Sequence, residues 1–144
     1  VAIRQLFRTD FETEQVKAKA KANAQFLANG LLVTCCRETM PNIRVIAAQV
    51  ADSMLRIEGA HASIVVFQLD SDTVGVSARS TGEINVQVIM EGFGGGGHQN
   101  VAGAQIHDKT LDGVYKEVIA ATEKYIKENE QNESNLTTGH KESR

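Results

Sequence analysis

Four consecutive glycines, Gly94, Gly95, Gly96 and Gly97, constrain this chain more than any other feature. Together with Gly92, they place five of the chain's 12 glycines within residues 92–97. Without Cβ atoms the backbone reaches φ > 0 freely, at a cost in chain entropy on folding. Such a run is tolerated mainly where backbone must lie close against a ligand or another chain segment; a flexible loop or tight turn is the plain alternative. Successive N–H groups can form a concave anion site, and a helix starting just beyond would add a favourable dipole. His98 closes the run and can donate a hydrogen bond or carry charge near neutral pH. Gln99 and Asn100 follow it.

Any anion recognition must be local. The net charge is −3, so no overall basic field would hold nucleic acid non-specifically. At 144 residues the length suits one domain with its own core. Cys35 and Cys36 are adjacent in an apolar run, where strand alternation would send them to opposite faces as buried thiols. No signal peptide or long apolar stretch is evident, which predicts a cytoplasmic or cytoplasm-facing location. The chain opens on Val1, as expected of a piece of a longer polypeptide.

Residues 1–7 read as the end of a helix carrying Ile3, Leu6 and Phe7. Thr9 and Glu12 fit a capping box for a second helix reaching about residue 29, with Phe11, Val16, Ala20, Ala24 and Leu27 near one side and Gly30 as its stop. Residues 31–36 predict a strand. Pro41 and Asn42 then open a helix with Ile43, Ala47, Val50, Met54 and Ile57 at helical spacing, ended by Gly59. Residues 62–69 are a β-branched apolar run, which predicts a central strand covered on both faces. Asp70, Ser71 and Asp72 make a turn; paired aspartates could also touch a metal, but a hairpin turn is the simpler reading.

Residues 73–79 alternate. Val74, Val76 and Ala78 share one face, while Ser77 and Arg79 share the other. Arg79 falls at the C-terminal end of its strand, the edge at which layered α/β folds bind ligands. A guanidinium there can grip a phosphate through paired N–H donors, or equally form a surface salt bridge. A short helix over 85–93 offers Ile84, Val88 and Ile89 to the core and leads into the glycines. Residues 101–106 predict a last strand, and 110–129 a helix with the stripe Leu111, Val114, Tyr115, Val118, Ile119, Thr122 and Ile126. The polar residues 130–144 predict a disordered tail. The alternation gives an α/β fold: a mixed sheet of about four to five strands with helices packed against it, preceded by a connector helix, in unspecified strand order.

The segment from Gly94 to His98, followed by Asn100, Val101, Ala102, Gly103 and Ala104, resembles the GGGGHxxAAGA signature of the DHH-associated domain. This is the C-terminal domain of the DHH-family phosphoesterases. Residues 48–52, 58–59, 63–66, 75–80 and 84–90 further resemble the bacterial cyclic-di-AMP phosphodiesterases of the GdpP type. The likeness covers about residues 31–126, with Val101 standing where many members carry alanine. It implies residues 1–29 as a connector from an upstream DHH domain, 30–129 as a nucleotide-binding domain and 130–144 as a tail.

The resemblance also implies a division of labour. The upstream domain of the same polypeptide would hold Mn²⁺ and activate a water, while this domain binds cyclic-di-AMP or a related phosphorylated adenine nucleotide. Carried over by position, Ser77, Arg79, Gly94, Gly95, Gly96, Gly97, His98 and Asn100 are the substrate-binding candidates. No Asp-His-His triplet occurs, and His61, His98, His107 and His140 are isolated. His61 and His107 read as surface or packing residues. A metal site needs three or more converging ligands, so no catalytic, metal or cofactor site is expected in this chain. Hydrolysis by the chain alone is therefore not expected. Homodimerisation and membrane anchoring of the intact protein stay open. The alternatives are a domain acting on short RNA or 3′-phosphoadenosine phosphate, a RecJ-like nuclease domain, or an RNA-binding module like the C-terminal domain of alanyl-tRNA synthetase.

Overall fold

A computed structural model describes residues 2–142, with side chains over 11–136. The order is α1 (Ala2–Ala22), β1 (Gln25–Leu27), a 3-10 turn (Ala28–Gly30), β2 (Leu31–Cys36), α2 (Ile43–Leu55), β3 (Ala62–Gln68), β4 (Thr73–Ser80), α3 (Val86–Glu91), β5 (Gly96–Gly97), β6 (Val101–His107) and α4 (Leu111–Glu142). The six strands form one sheet in the order β1-β2-β3-β4-β6-β5. Only β2 and β3 are parallel, joined across one face by α2; every other pair is antiparallel. The expected mixed α/β sheet is present, with one or two strands more than expected.

Alternation along the strands divides the apolar interior into two layers. On one face Val16 and Ala20 of α1 and Ile43, Ile46, Val50 and Met54 of α2 pack on Leu32, Cys36, Val65 and Phe67. On the other, Val86, Ile89 and Met90 of α3 and Leu111, Val114, Val118 and Ile126 of α4 cover Ile64, Val66, Val74, Val76, Ala102, Ala104 and Ile106. Fully burying each Val, Leu, Ile or Met contributes about 1.5–3 kcal/mol, so the two faces together carry most of the stabilisation. Buried hydroxyls are satisfied locally. Thr34 donates to the Ala20 carbonyl and Ser63 to the Ala51 carbonyl, each at 2.6 Å, tying the central strands to α1 and α2.

Several boundaries differ from expectation. The backbone of α1 is continuous from Ala2 to Ala22, so no helix starts at Thr9; the side chains of Ile3, Leu6, Phe7 and Thr9 lie outside the described residues. The helix stops at Ala22 rather than near residue 29, because Gln25–Leu27 pair with β2. Gly30 therefore caps no helix. It takes φ +73, and a Cβ there would lie 2.4 Å from the Gly59 carbonyl. In α3, Val88 is 50% exposed; Val86, Ile89 and Met90 are the buried positions. Ile57 lies beyond α2 and is exposed. α4 does not end at residue 129 but runs to Glu142, through the polar segment expected to be disordered, and residues 130–136 are exposed along it.

Candidate functional site

The glycine run is half helix stop and half strand. The N–H groups of Phe93, Gly94 and Gly95 donate to the last carbonyls of α3, at Met90, Glu91 and Met90, over 2.9–3.1 Å. Gly94 takes φ +79 to make that turn, a conformation open to glycine at little cost. Gly96 and Gly97 then pair with Gly103 and Ala102 as β5, and His98 N–H closes the hairpin on the Val101 carbonyl at 2.7 Å. Gln99 and Asn100 form the two-residue turn.

The close approach that the glycines permit is therefore made twice to another chain segment. A Cβ on Gly95 would sit 2.1 Å from the Gly103 carbonyl oxygen, and one on Gly97 2.5 Å from that of Val101. At Gly94 and Gly96 it would meet nothing within 4 Å. The expected nest of bare N–H groups is corrected in part, since those of Gly94, Gly95 and His98 are spent within the chain. The strand expected after the run, β6, is present, so no helix N-terminus faces it. The adjoining helix α3 presents its carbonyl end, whose partial charge repels anions.

Strand β4 places Ser77 and Arg79 on the face toward α2, opposite Gly103 and Val101 of β6. The Arg79 side chain is only 13% exposed. Its Nε–H donates to Asp52 Oδ1 on α2 at 2.8 Å and Nη1 to its neighbour's carbonyl at Ala78, 3.0 Å away. The salt-bridge alternative thus holds for one side of the guanidinium. Its remaining N–H donors have no partner among the described residues. Asp52 escaped the sequence reading as a site residue, because its link to Arg79 exists only once α2 is laid across the sheet.

Helix α2 covers β3 and β4 and stops short of β6. The same face of β6 stays open, with Val101, Gln105 and His107 exposed and Gly103 partly so. Beside it lies a groove of about 560 Å³, lined by Arg44, Ser77, Gly94, Gly95, Gly103, Gln105 and His107, with Phe67, Val76 and Ala104 beneath.

Of the eight candidates, Ser77, Gly94 and Gly95 share this groove. Arg79, Gly96, Gly97, His98 and Asn100 fall outside its lining, at the end of the same open face. Arg79 is registered with Val101, and Val101 with His98, so two strand spacings, roughly 10 Å, separate the backbones of Arg79 and His98. The His98 side chain is exposed. Asn100 serves the turn, its carbonyl accepting from Ser80 N–H at 2.9 Å. His107 contacts Thr73 Oγ1 through Nδ1 at 3.1 Å and also lines the groove, which the packing role expected for it did not include. Arg44 and Gln105 carried no sequence signal.

Asp70 accepts from the Asp72 N–H at 2.9 Å, the hairpin turn expected of that pair. Among the described residues, no group of three His, Cys, Asp or Glu side chains converges as a metal site, and no helix is long and apolar enough to cross a membrane.

Comparison with known proteins agrees with this architecture. Residues 41–128 match the family model described as the DHHA1 domain. The cyclic-di-AMP phosphodiesterase PdeA of Listeria monocytogenes is 37% identical over 127 residues, covering 88% of this chain and 19% of PdeA. The cyclic-di-AMP phosphodiesterase GdpP of Geobacillus thermodenitrificans is 36% identical over 126 residues, with the same coverage of 88% and 19%. The chain thus spans about a fifth of the length of these relatives. Among solved structures, an exopolyphosphatase-related protein from Bacteroides fragilis shares the fold at TM-score 0.66 and 18% identity, over 78% of this chain and 34% of that one. The signature at the glycine hairpin, the extent of the family match and the two phosphodiesterase relatives converge: the chain belongs to the DHHA1 domain family.

Proposed function

We propose that this chain is the substrate-binding domain of a cyclic-di-AMP phosphodiesterase that yields the linear dinucleotide pApA. The observation that carries this reading is the open face of β6. There a partly satisfied arginine and the exposed His98 stand about two strands apart, beside bare backbone at Gly96. Arg79 would take a phosphoryl group through the guanidinium donors that Asp52 and Ala78 do not use, and His98 would donate from the opposite side. Gly96 would let the ligand approach the backbone.

The described residues do not fit a manganese site, so we assign the metal and the attacking water to a DHH domain in the same polypeptide. The chain alone would then bind without hydrolysing. In the intact protein, this domain would face the cytoplasm. Calorimetric titration of the chain with cyclic-di-AMP, pApA and a hairpin RNA tests the reading. Binding of the adenine dinucleotides, weakened in Arg79→Ala, supports it. A preference for the hairpin RNA with steep salt dependence refutes it.

A further inference from the structure

The groove does not end at the candidate phosphate contacts. From the row of Arg79 and Val101, the open face runs four residues along β6 to the row of Gly75 and Gln105, roughly 14 Å, with His107 beyond. Its floor is bare backbone at Gly103, next to Ser77. Beyond the Arg79–Asp52 pair, the lining of the groove holds one cation, Arg44, and no carboxylate. Arg44 stands exposed on α2, and no described residue pairs with it, whereas Arg79 and Arg37 are each held by an aspartate. His107 is fixed at Nδ1 by the Thr73 hydroxyl. The Thr73 hydroxyl also donates to the Asp70 carboxylate, so the ring nitrogen Nδ1 donates to Thr73 Oγ1 and Nε2 is a donor when the ring carries both protons. Gln105 adds an amide. Two separated donor groups on one glycine-floored strip match a ligand with two anionic groups, not one.

We propose that Arg44, with Gln105 and His107, forms a second anion subsite. It takes the distal phosphoryl group of a two-phosphate nucleotide whose first phosphate is held at the Arg79 end. This inference rests on the proposed function and deepens it: the domain measures dinucleotide length. Arg44 supplies the charge, and His107 and Gln105 orient the phosphoryl oxygens. The volume of about 560 Å³ lies within the range of small-molecule sites.

The test compares pApA with AMP on the 144-residue chain by calorimetry, with Arg44→Ala, Arg44→Lys and Arg79→Ala beside the parent. Melting temperatures confirm that each variant is folded. The parent is expected to prefer pApA. Arg44→Ala should weaken pApA about tenfold and leave AMP unchanged, the size of one charge-assisted hydrogen bond. Arg44→Lys should recover part of the loss, since the charge returns without the planar fork. Arg79→Ala should weaken both ligands. Equal affinity of the parent for the two ligands, or an Arg44→Ala variant that binds pApA as the parent does or loses both ligands equally, overturns the subsite while leaving the proposed function standing. A parent that binds neither ligand overturns both.

Discussion

Arg79 reaches back from β4 to Asp52 on α2, an Nε–Oδ1 hydrogen bond of 2.8 Å that fixes the guanidinium beneath the open face of β6. Asp52 is half exposed, so the pair itself adds at most about 1 kcal/mol to stability. Its role is to aim. Arg79→Ala should lose about 1.5–3 kcal/mol of nucleotide binding, as for a hydrogen bond to a charged group. Asp52→Ala should weaken binding severalfold with little change in melting temperature. Titration calorimetry beside thermal melts checks both. Unchanged affinity in Arg79→Ala would remove that residue from the site.

The four glycines should respond unequally to a methyl group. In Gly95→Ala the new Cβ collides with the Gly103 carbonyl, so β5 must shift off β6, at about 1–3 kcal/mol. In Gly96→Ala the Cβ enters open space at an ordinary φ, and stability should stay within about 0.5 kcal/mol. Urea unfolding separates the two. If Gly96→Ala keeps its stability but loses nucleotide affinity, that glycine serves the ligand rather than the fold.

Acid should weaken the fold through carboxylates held in their charged form, Asp70 and Asp112 on the surface and Glu38 beside Lys19. The Arg37 guanidinium donating to Asp112 holds its carboxyl below the ordinary 3.8, and the Asp72 backbone N–H does the same for Asp70. A folded-state value below the unfolded one gives stability that is present above the unfolded value and lost as pH falls through the folded one. The urea midpoint should therefore hold near neutrality and decline below about pH 4. Asp70→Asn and Asp112→Asn should each make that decline shallower. A decline of unchanged steepness in both variants would place the acid sensitivity elsewhere.

Neither cysteine should react readily in the folded chain. Burial, then the charges of Glu38 and Cys35, push the Cys36 thiol up to about 12, and burial raises Cys35 as well. The thiolate is the nucleophile, so both stay inert near neutral pH. Iodoacetamide labelling followed by mass spectrometry should show slow modification natively and fast modification in urea. Equal rates in the two conditions would contradict the burial.

Legibility followed the periodicity of side chains. Strands β2, β3, β4 and β6 could be read because apolar runs or strict alternation mark them, and Ser77 and Arg79 were placed together by that alternation. Strand β5 could not. Two glycines carry no side-chain pattern, and their pairing with Gly103 and Ala102 is a backbone matter. Strand β1 is three residues beyond a helical stretch, and only pairing with β2 stops the helix from running on. The Asp52–Arg79 link joins residues 27 apart in the chain, and Arg44 meets the groove only through the path of α2. Such contacts are tertiary and leave no local trace.

The hairpin turn at Gln99 and Asn100 is strapped on both sides: Ser80 N–H binds the Asn100 carbonyl, Val86 N–H binds the Gln99 carbonyl, and the Gln99 amide donates to Gly82. A glycine-rich segment, free to sample many conformations when unfolded, is therefore held at this end by hydrogen bonds within the fold. The ordering entropy of the glycines is charged to folding, so that in the proposed site association near His98 would start from a loop already in place.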